Sequence, residues 1–148
     1  MGVLLAERRF EVEASQDRIW RLIGKVIFSC LPGMEKIEIL DENNFQATLR
    51  TKVWLIELCM KLKGEMVNIS PPQSFVVKLG LESPRGLFKM NQRVEIATES
   101  VEMDRTAIAC VAMAERMGIL FRVLLFGEAR RFARSAFHAM EKRLKDLV

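Results

Sequence analysis

The chain has 148 residues, half of them apolar and 28% charged, and carries a net charge of +4. That length suits one domain with a real core, and that composition excludes a disordered or low-complexity chain. The positive excess is modest and spread along the sequence, so it does not by itself specify an anionic partner.

Val3 to Val12 reads as a first strand and stops at Ala14-Ser15. Ser15 is a good helix N-cap, and Ile19, Trp20, Leu22 and Ile23 give the apolar face of a short helix. After Gly24, Lys25 to Cys30 is expected to form a second short helix, ending before Pro32. From Gly33 onward the period changes to two. Ile37 and Ile39 alternate with charges, and Asp41-Glu42-Asn43-Asn44 is a hairpin signal. Phe45, Ala47, Leu49, Thr51 and Val53 then alternate with polar residues. Leu58, Met60 and Leu62 continue on another strand, with a bulge or bend expected at Gly64. Ser70-Pro71-Pro72-Gln73 closes it. Phe75, Val77, Leu79 and Leu81 form the next run, and Ser83-Pro84-Arg85-Gly86 is a tight connection. Phe88 to Ile96 and Thr106 to Ala114 are the last two strands.

From about Ile119 to Leu147 the period is helical. Ala129, Phe132, Ala133, Ala136, Phe137, Met140, Leu144 and Leu147 share one face, and Arg131, Arg134, His138, Lys142 and Lys145 the other. No aromatic residues interleave that basic stripe, so it reads as a solvated face and nucleic acid is not an expected partner. If the helix is unbroken from Ile119, Arg122 points inward and Leu120 and Leu124 outward. A break near Gly127 would instead send Arg122 to solvent and bury the leucines. The expected class is α+β: about seven antiparallel strands in a curved sheet, ordered β-α-α-β6-α, gripping a long C-terminal helix over residues 1–148.

The pattern Ala14-Ser15-x-Asp17-x-Ile19-Trp20-x-Leu22-Ile23, followed by Cys30-Leu31-Pro32-Gly33, resembles the START-like (helix-grip) superfamily. Within it the chain is similar to the branch of the carbon monoxide dehydrogenase G-subunit. Lys63-Gly64-Glu65 and Ser70-Pro71-Pro72 fit that branch's middle strands. The resemblance runs from end to end. It implies a cavity between sheet and helix for hydrophobic molecules such as lipids, sterols, polyketides or quinones. Gly24 departs from the pattern, standing where many relatives have Asp. The sequence also stops at Val148 without the C-terminal extension of some proteins of that branch. That turns the expectation away from a dedicated role in a carbon monoxide dehydrogenase complex.

For chemistry the residues offer little. Three scattered cysteines, Cys30, Cys59 and Cys110, make no disulfide framework and predict a reducing, cytoplasmic setting. With one histidine and no Cys-x-x-Cys pair, neither a metal nor another cofactor is expected. The N-terminus shows no secretory apolar region, and no apolar run approaches the roughly 18 residues of a spanning helix. No catalytic residue is assigned; Glu57 and Gln92 are the polar candidates near the sheet face. Carriage of a hydrophobic small molecule needs only an apolar wall, an opening and a polar anchor. Trp54, Met60, Phe75, Val77, Leu79, Phe88, Met90 and Val94 are the candidate wall, and Phe126, Phe132 and Phe137 the candidate lid. Each serves equally as plain core. Gln92 and Arg122 are the candidate anchors. Nine Met and nine Phe suit a deformable pocket or an ordinary core alike. A membrane surface or a redox partner protein is the further partner considered. The alternatives are an enzyme acting on an aromatic or polyketide-like substrate, with Gln92 or Arg122 positioning a carbonyl, and an interaction module with a vestigial cavity.

Overall fold

The computed structural model describes residues 2–27, 31, 33–53 and 55–148, with the backbone alone for Val53 and Ile56. Strand β1 (Val3–Val12) leads into α1 (Gln16–Ile27). Six strands follow: β2 (Met34–Ile39), β3 (Asn44–Val53), β4 (Ile56–Ser70), β5 (Ser74–Glu82), β6 (Lys89–Glu102) and β7 (Arg105–Met117). Two helices close the chain, α2 (Ile119–Leu124) and α3 (Phe126–Leu147). All seven strands form one antiparallel sheet in the order β1-β7-β6-β5-β4-β3-β2. This is the α+β helix-grip architecture the alternation predicts.

The Ser15 hydroxyl caps α1 by accepting the Arg18 amide at 3.3 Å. Gly24 does not end the helix. Ile19, Ile23 and Val26 are buried along one stripe, so the apolar face carries α1 on to Ile27. The expected second helix therefore loses Lys25–Ile27 to the first; Phe28, Ser29 and Cys30, with Pro32 of the family motif, lie outside the described residues. Gly64 is also no bulge, because the β3–β4 and β4–β5 registers run through it without a shift. It pairs with Phe45, and a Cβ there would run into the Phe45 ring. The glycine is the slot into which that ring folds. Real irregularities fall elsewhere: between Val67 and Ser70, between Asn91 and Gln92, and in β2, where Lys36 takes φ 50°.

The inner face of the sheet buries Phe45, Leu49, Met60, Leu62, Phe75, Leu79, Leu81, Met90, Val94 and Ile96 in successive cross-strand rows. Trp20 of α1 caps this core edge-on at Phe75, with ring centroids 5.6 Å apart. Helix α3 lies over β1 and beside α1, burying Ala133, Phe137, Met140 and Leu144. Polar contacts fix it there. Arg8 Nε of β1 donates to Glu141 Oε1 at 2.6 Å and Arg18 Nη2 of α1 to the Leu147 carbonyl at 3.3 Å, while within α3 Lys145 Nζ donates to Glu141 Oε2 at 2.8 Å. Lys145 first, then Arg8, hold the Glu141 carboxyl below the usual carboxylate range.

Candidate functional site

In an antiparallel meander the β3–β4 turn, the β5–β6 connection and the end of β7 emerge at the same end of the sheet. Helix α2 and the first turns of α3 sit at that end too. Between them lies a cleft lined by Leu49, Thr51, Met60, Leu81, Met90, Phe121, Leu125, Glu128, Ala129 and Phe132. Every strand residue in that set faces inward, so the pleat of β3–β6 supplies the floor and the two helices the roof. Its volume is only about 30 Å3. That holds one or two waters, whereas small-molecule sites run to roughly 300–1,000 Å3. The grip is closed on its own side chains, among them Met60 and Met90, which repack easily.

The roof owes its shape to a break in the C-terminal helix. Leu125 takes φ −115° and ψ 0°, and its amide bonds back to the Phe121 carbonyl. The break lies two residues before Gly127, and it resets the helical phase. Phe121 and Leu125 are buried; Leu120 and Leu124 remain partly exposed, and Arg122 is exposed. The inward Arg122 required by an unbroken helix is therefore corrected, because α2 turns that position to solvent. So is the burial of the two leucines expected on a break.

Among the other predicted residues, Met60, Met90 and Phe132 meet at the cleft. Leu79, Val77, Val94 and Phe75 continue the inner face away from it, and Phe75 belongs to the far end under Trp20. Phe137 is buried in the core, Phe88 is half-buried against it, and Phe126 lies half-buried with the Arg130 guanidinium 4.8 Å above its ring. Trp54 lies outside the described residues. Glu57 is exposed and paired with Arg50 at 3.1 Å. His138 is exposed on α3, its Nδ1 3.4 Å from Arg8 Nη2. Cys59 is exposed, whereas Cys110 is buried, which pushes its thiol up to about 12 and leaves it inert as a nucleophile.

Gln92 is different. It sits on the inner face, two residues along β6 from Met90, hence roughly 7 Å deeper than the cleft floor. It is 3% exposed. Four polar residues are buried among those described: Ser83, Gln92, Thr98 and Thr106. Ser83 Oγ accepts the Phe88 amide at 2.8 Å, Thr98 Oγ1 donates to the Pro72 carbonyl at 2.6 Å, and Thr106 Oγ1 donates to the Ala14 carbonyl at 2.8 Å. Gln92 Oε1 has no hydrogen-bond partner. Its cross-strand neighbours are Leu79 and Ala114, which offer no polar side-chain group.

The model of the carbon monoxide dehydrogenase G-subunit family, CoxG, matches residues 9–123. The chain belongs to that family. The match runs from Arg9 within β1 to Val123 within α2 and so includes the cleft floor, the Gln92 row and Phe121 of the roof. Among solved structures, a conserved protein from Geobacillus kaustophilus superposes with a TM-score of 0.74 at 16% identity, over 95% of this chain and 94% of that one. Truncated norcoclaurine synthase from Thalictrum flavum gives 0.69 at 16% identity, over 99% and 93%. A START superfamily protein from Mycobacterium smegmatis gives 0.61 at 14% identity, over 97% and 98%. At such identities these neighbours establish the START-like fold for this CoxG family member, a fold that one of them carries as an enzyme. No curated protein matches. Leu49, Leu81, Phe121 and Leu125 were not singled out as site residues by sequence; the i,i+4 spacing of Phe121 and Leu125 is the one signal that marks them.

Proposed function

We propose that this CoxG family member binds and carries a hydrophobic small molecule between the inner face of the sheet and helices α2 and α3. The observation that carries the reading is the unpaired amide oxygen of Gln92, buried among apolar side chains. A buried acceptor without a donor costs about 1–3 kcal/mol, a cost that a ligand hydroxyl or N–H reaching it would remove. An alkyl or prenyl body filling the opened cleft would add about 0.8 kcal/mol per methylene. This suits a lipid, quinone or polyketide-like molecule with one polar end.

The opening supports the same reading. Around it stand Leu55 (92% exposed), Ile119 (83%), Val123 (72%) and Leu87 (60%), all at one end of the sheet. A rim of exposed aliphatic side chains beside a closed apolar cleft suits contact with a lipid surface from which such a ligand is taken. Among the described residues no helix is long and apolar enough to cross a membrane. The enzyme alternative needed Gln92 or Arg122 to position a carbonyl. Arg122 is exposed, and a lone amide orients a substrate but does not transfer protons near neutral pH.

Native mass spectrometry of the protein purified from its own host, with organic extraction of what accompanies it, tests the reading. A one-to-one apolar adduct is expected, displaced by lipid vesicles. A protein that is empty, and stays empty when incubated with vesicles carrying quinones and polyketides, overturns it.

A further inference from the structure

The outer face of the sheet carries an unusual row. Gln46, Lys63, Gly80, Asn91 and Arg116 are successive register partners across β3, β4, β5, β6 and β7. All point away from the gripped core, and the glycine at the centre leaves backbone as the floor. Two open troughs of about 730 and 600 Å3 meet over this row, sharing Lys63, Gly80 and Asn91. A Cβ added at Gly80 would find only Asn91 Oδ1, at 3.6 Å, so the notch is empty for want of a side chain and not through crowding.

The charge along this notch is net positive. The central row carries two cations, Lys63 and Arg116, and runs at its β2 end into Glu38, the register partner of Gln46. Flanking it, Lys61 and Lys89 enclose Glu82, and Lys78 stands between Glu65 and Arg93. Glu115, in the irregularity of β7, also borders the trough. Lys89 pairs with Glu82 at 3.7 Å and Arg93 with Glu95 at 3.0 Å. Among the described residues Lys61, Lys63, Lys78 and Arg116 make no ion pair. Against Glu65 and Glu115, which also make no ion pair among those residues, these four cations leave the potential over the side-chain-free floor net positive.

We propose that this row is a docking trough for an extended acidic segment of a partner protein. Five strands at about 4.8 Å spacing give a row of roughly 19 Å, the reach of about six extended residues. The Asn91 amide can pair with the backbone of such a segment while the lysines meet its carboxylates; Gln46 Nε2 already donates to Glu38 Oε2 at 2.7 Å. None of the outward side chains in the three rows is aromatic, so bases would have nothing to stack on. The surface is separate from the inner cleft, and its occupancy does not depend on any ligand being carried.

The test is a 15N-correlation NMR titration of the full chain with an acetylated hexaglutamate peptide at low ionic strength, beside a thymidine oligonucleotide of equal charge and inorganic pyrophosphate. The expected result is peptide-induced shifts centred on Lys63, Gly80 and Asn91. Affinity should fall about tenfold in Lys61→Glu/Lys63→Glu and severalfold in Gly80→Leu, and stay unchanged in Lys142→Glu on α3. The Lys61→Glu/Lys63→Glu pair keeps the test decisive if Gly80→Leu fails to fold. No binding, shifts centred on the basic stripe of α3, or equal weakening by Lys142→Glu would each overturn the proposal. Tighter binding of the oligonucleotide or of pyrophosphate would overturn it in favour of a nucleic-acid or small-anion site.

Discussion

Replacing Gln92 by Met is the sharpest probe of the inner face. Methionine keeps the unbranched length of the side chain and removes the amide that has no partner for its oxygen. An unsatisfied buried acceptor costs about 1–3 kcal/mol, and an apolar group of similar shape escapes that penalty. Gln92→Met should therefore stabilise the ligand-free protein by about 1–3 kcal/mol, raising Tm by about 3–10 °C for a chain of this size. Urea unfolding at constant slope measures the gain, since an unchanged slope means that the same surface is exposed on unfolding. In the same variant, affinity for a ligand anchored at Gln92 should fall by about five- to 150-fold, the 1–3 kcal/mol that the ligand no longer relieves. A loss of stability of about 1 kcal/mol or more would refute the reasoning, because it would mean that the amide is already satisfied in the empty protein.

Two further predictions come from pairs of groups that look alike in sequence. Gly64→Ala should cost about 1–3 kcal/mol, because its Cβ would meet the Phe45 ring, whereas Gly80→Ala should change stability by less than about 1 kcal/mol; parallel urea curves compare them. Glu141→Gln removes a carboxylate whose folded pKa lies below its unfolded value of about 4.5. The stability it contributes is present above that unfolded value and is lost as pH falls through the lower folded one. The variant should thus be weaker by up to about 1 kcal/mol at pH 7 and converge with the parent as pH falls below that lowered value, followed by denaturant titration at each pH.

The alternation of Phe45 to Val53 made β3 legible, because one buried face prints a period of two on the chain. The same reasoning placed Gln92 inward. Gly64 was misread as a bend because its cause is the Phe45 ring on the neighbouring strand, and only the register brings the two together. Arg122 points inward only if a period of 3.6 is carried through Leu125; the alternative of a break near Gly127 is met two residues earlier, where a single non-helical residue rotates everything before it. The cleft itself has no local signal. Leu49, Met60, Leu81, Met90 and Phe121 come from five different elements, and their meeting is a property of the hairpins' common end rather than of any segment.

The sheet order also constrains how the chain comes to be folded during synthesis. Strands β2 to β7 are joined as successive hairpins, each of which can close once its second strand is made. Strand β1 has no such neighbour. Its register runs from Val12 opposite Thr106 to Val3 opposite Ala114, so it must wait until β7 has been made. At ribosomal rates of about 5–20 residues per second, that wait lasts several seconds. Throughout it, Leu5, Phe10 and Val12, with the apolar face of α1, lack the surface that will bury them. The strand made before the others of this sheet is thus among the last to be covered.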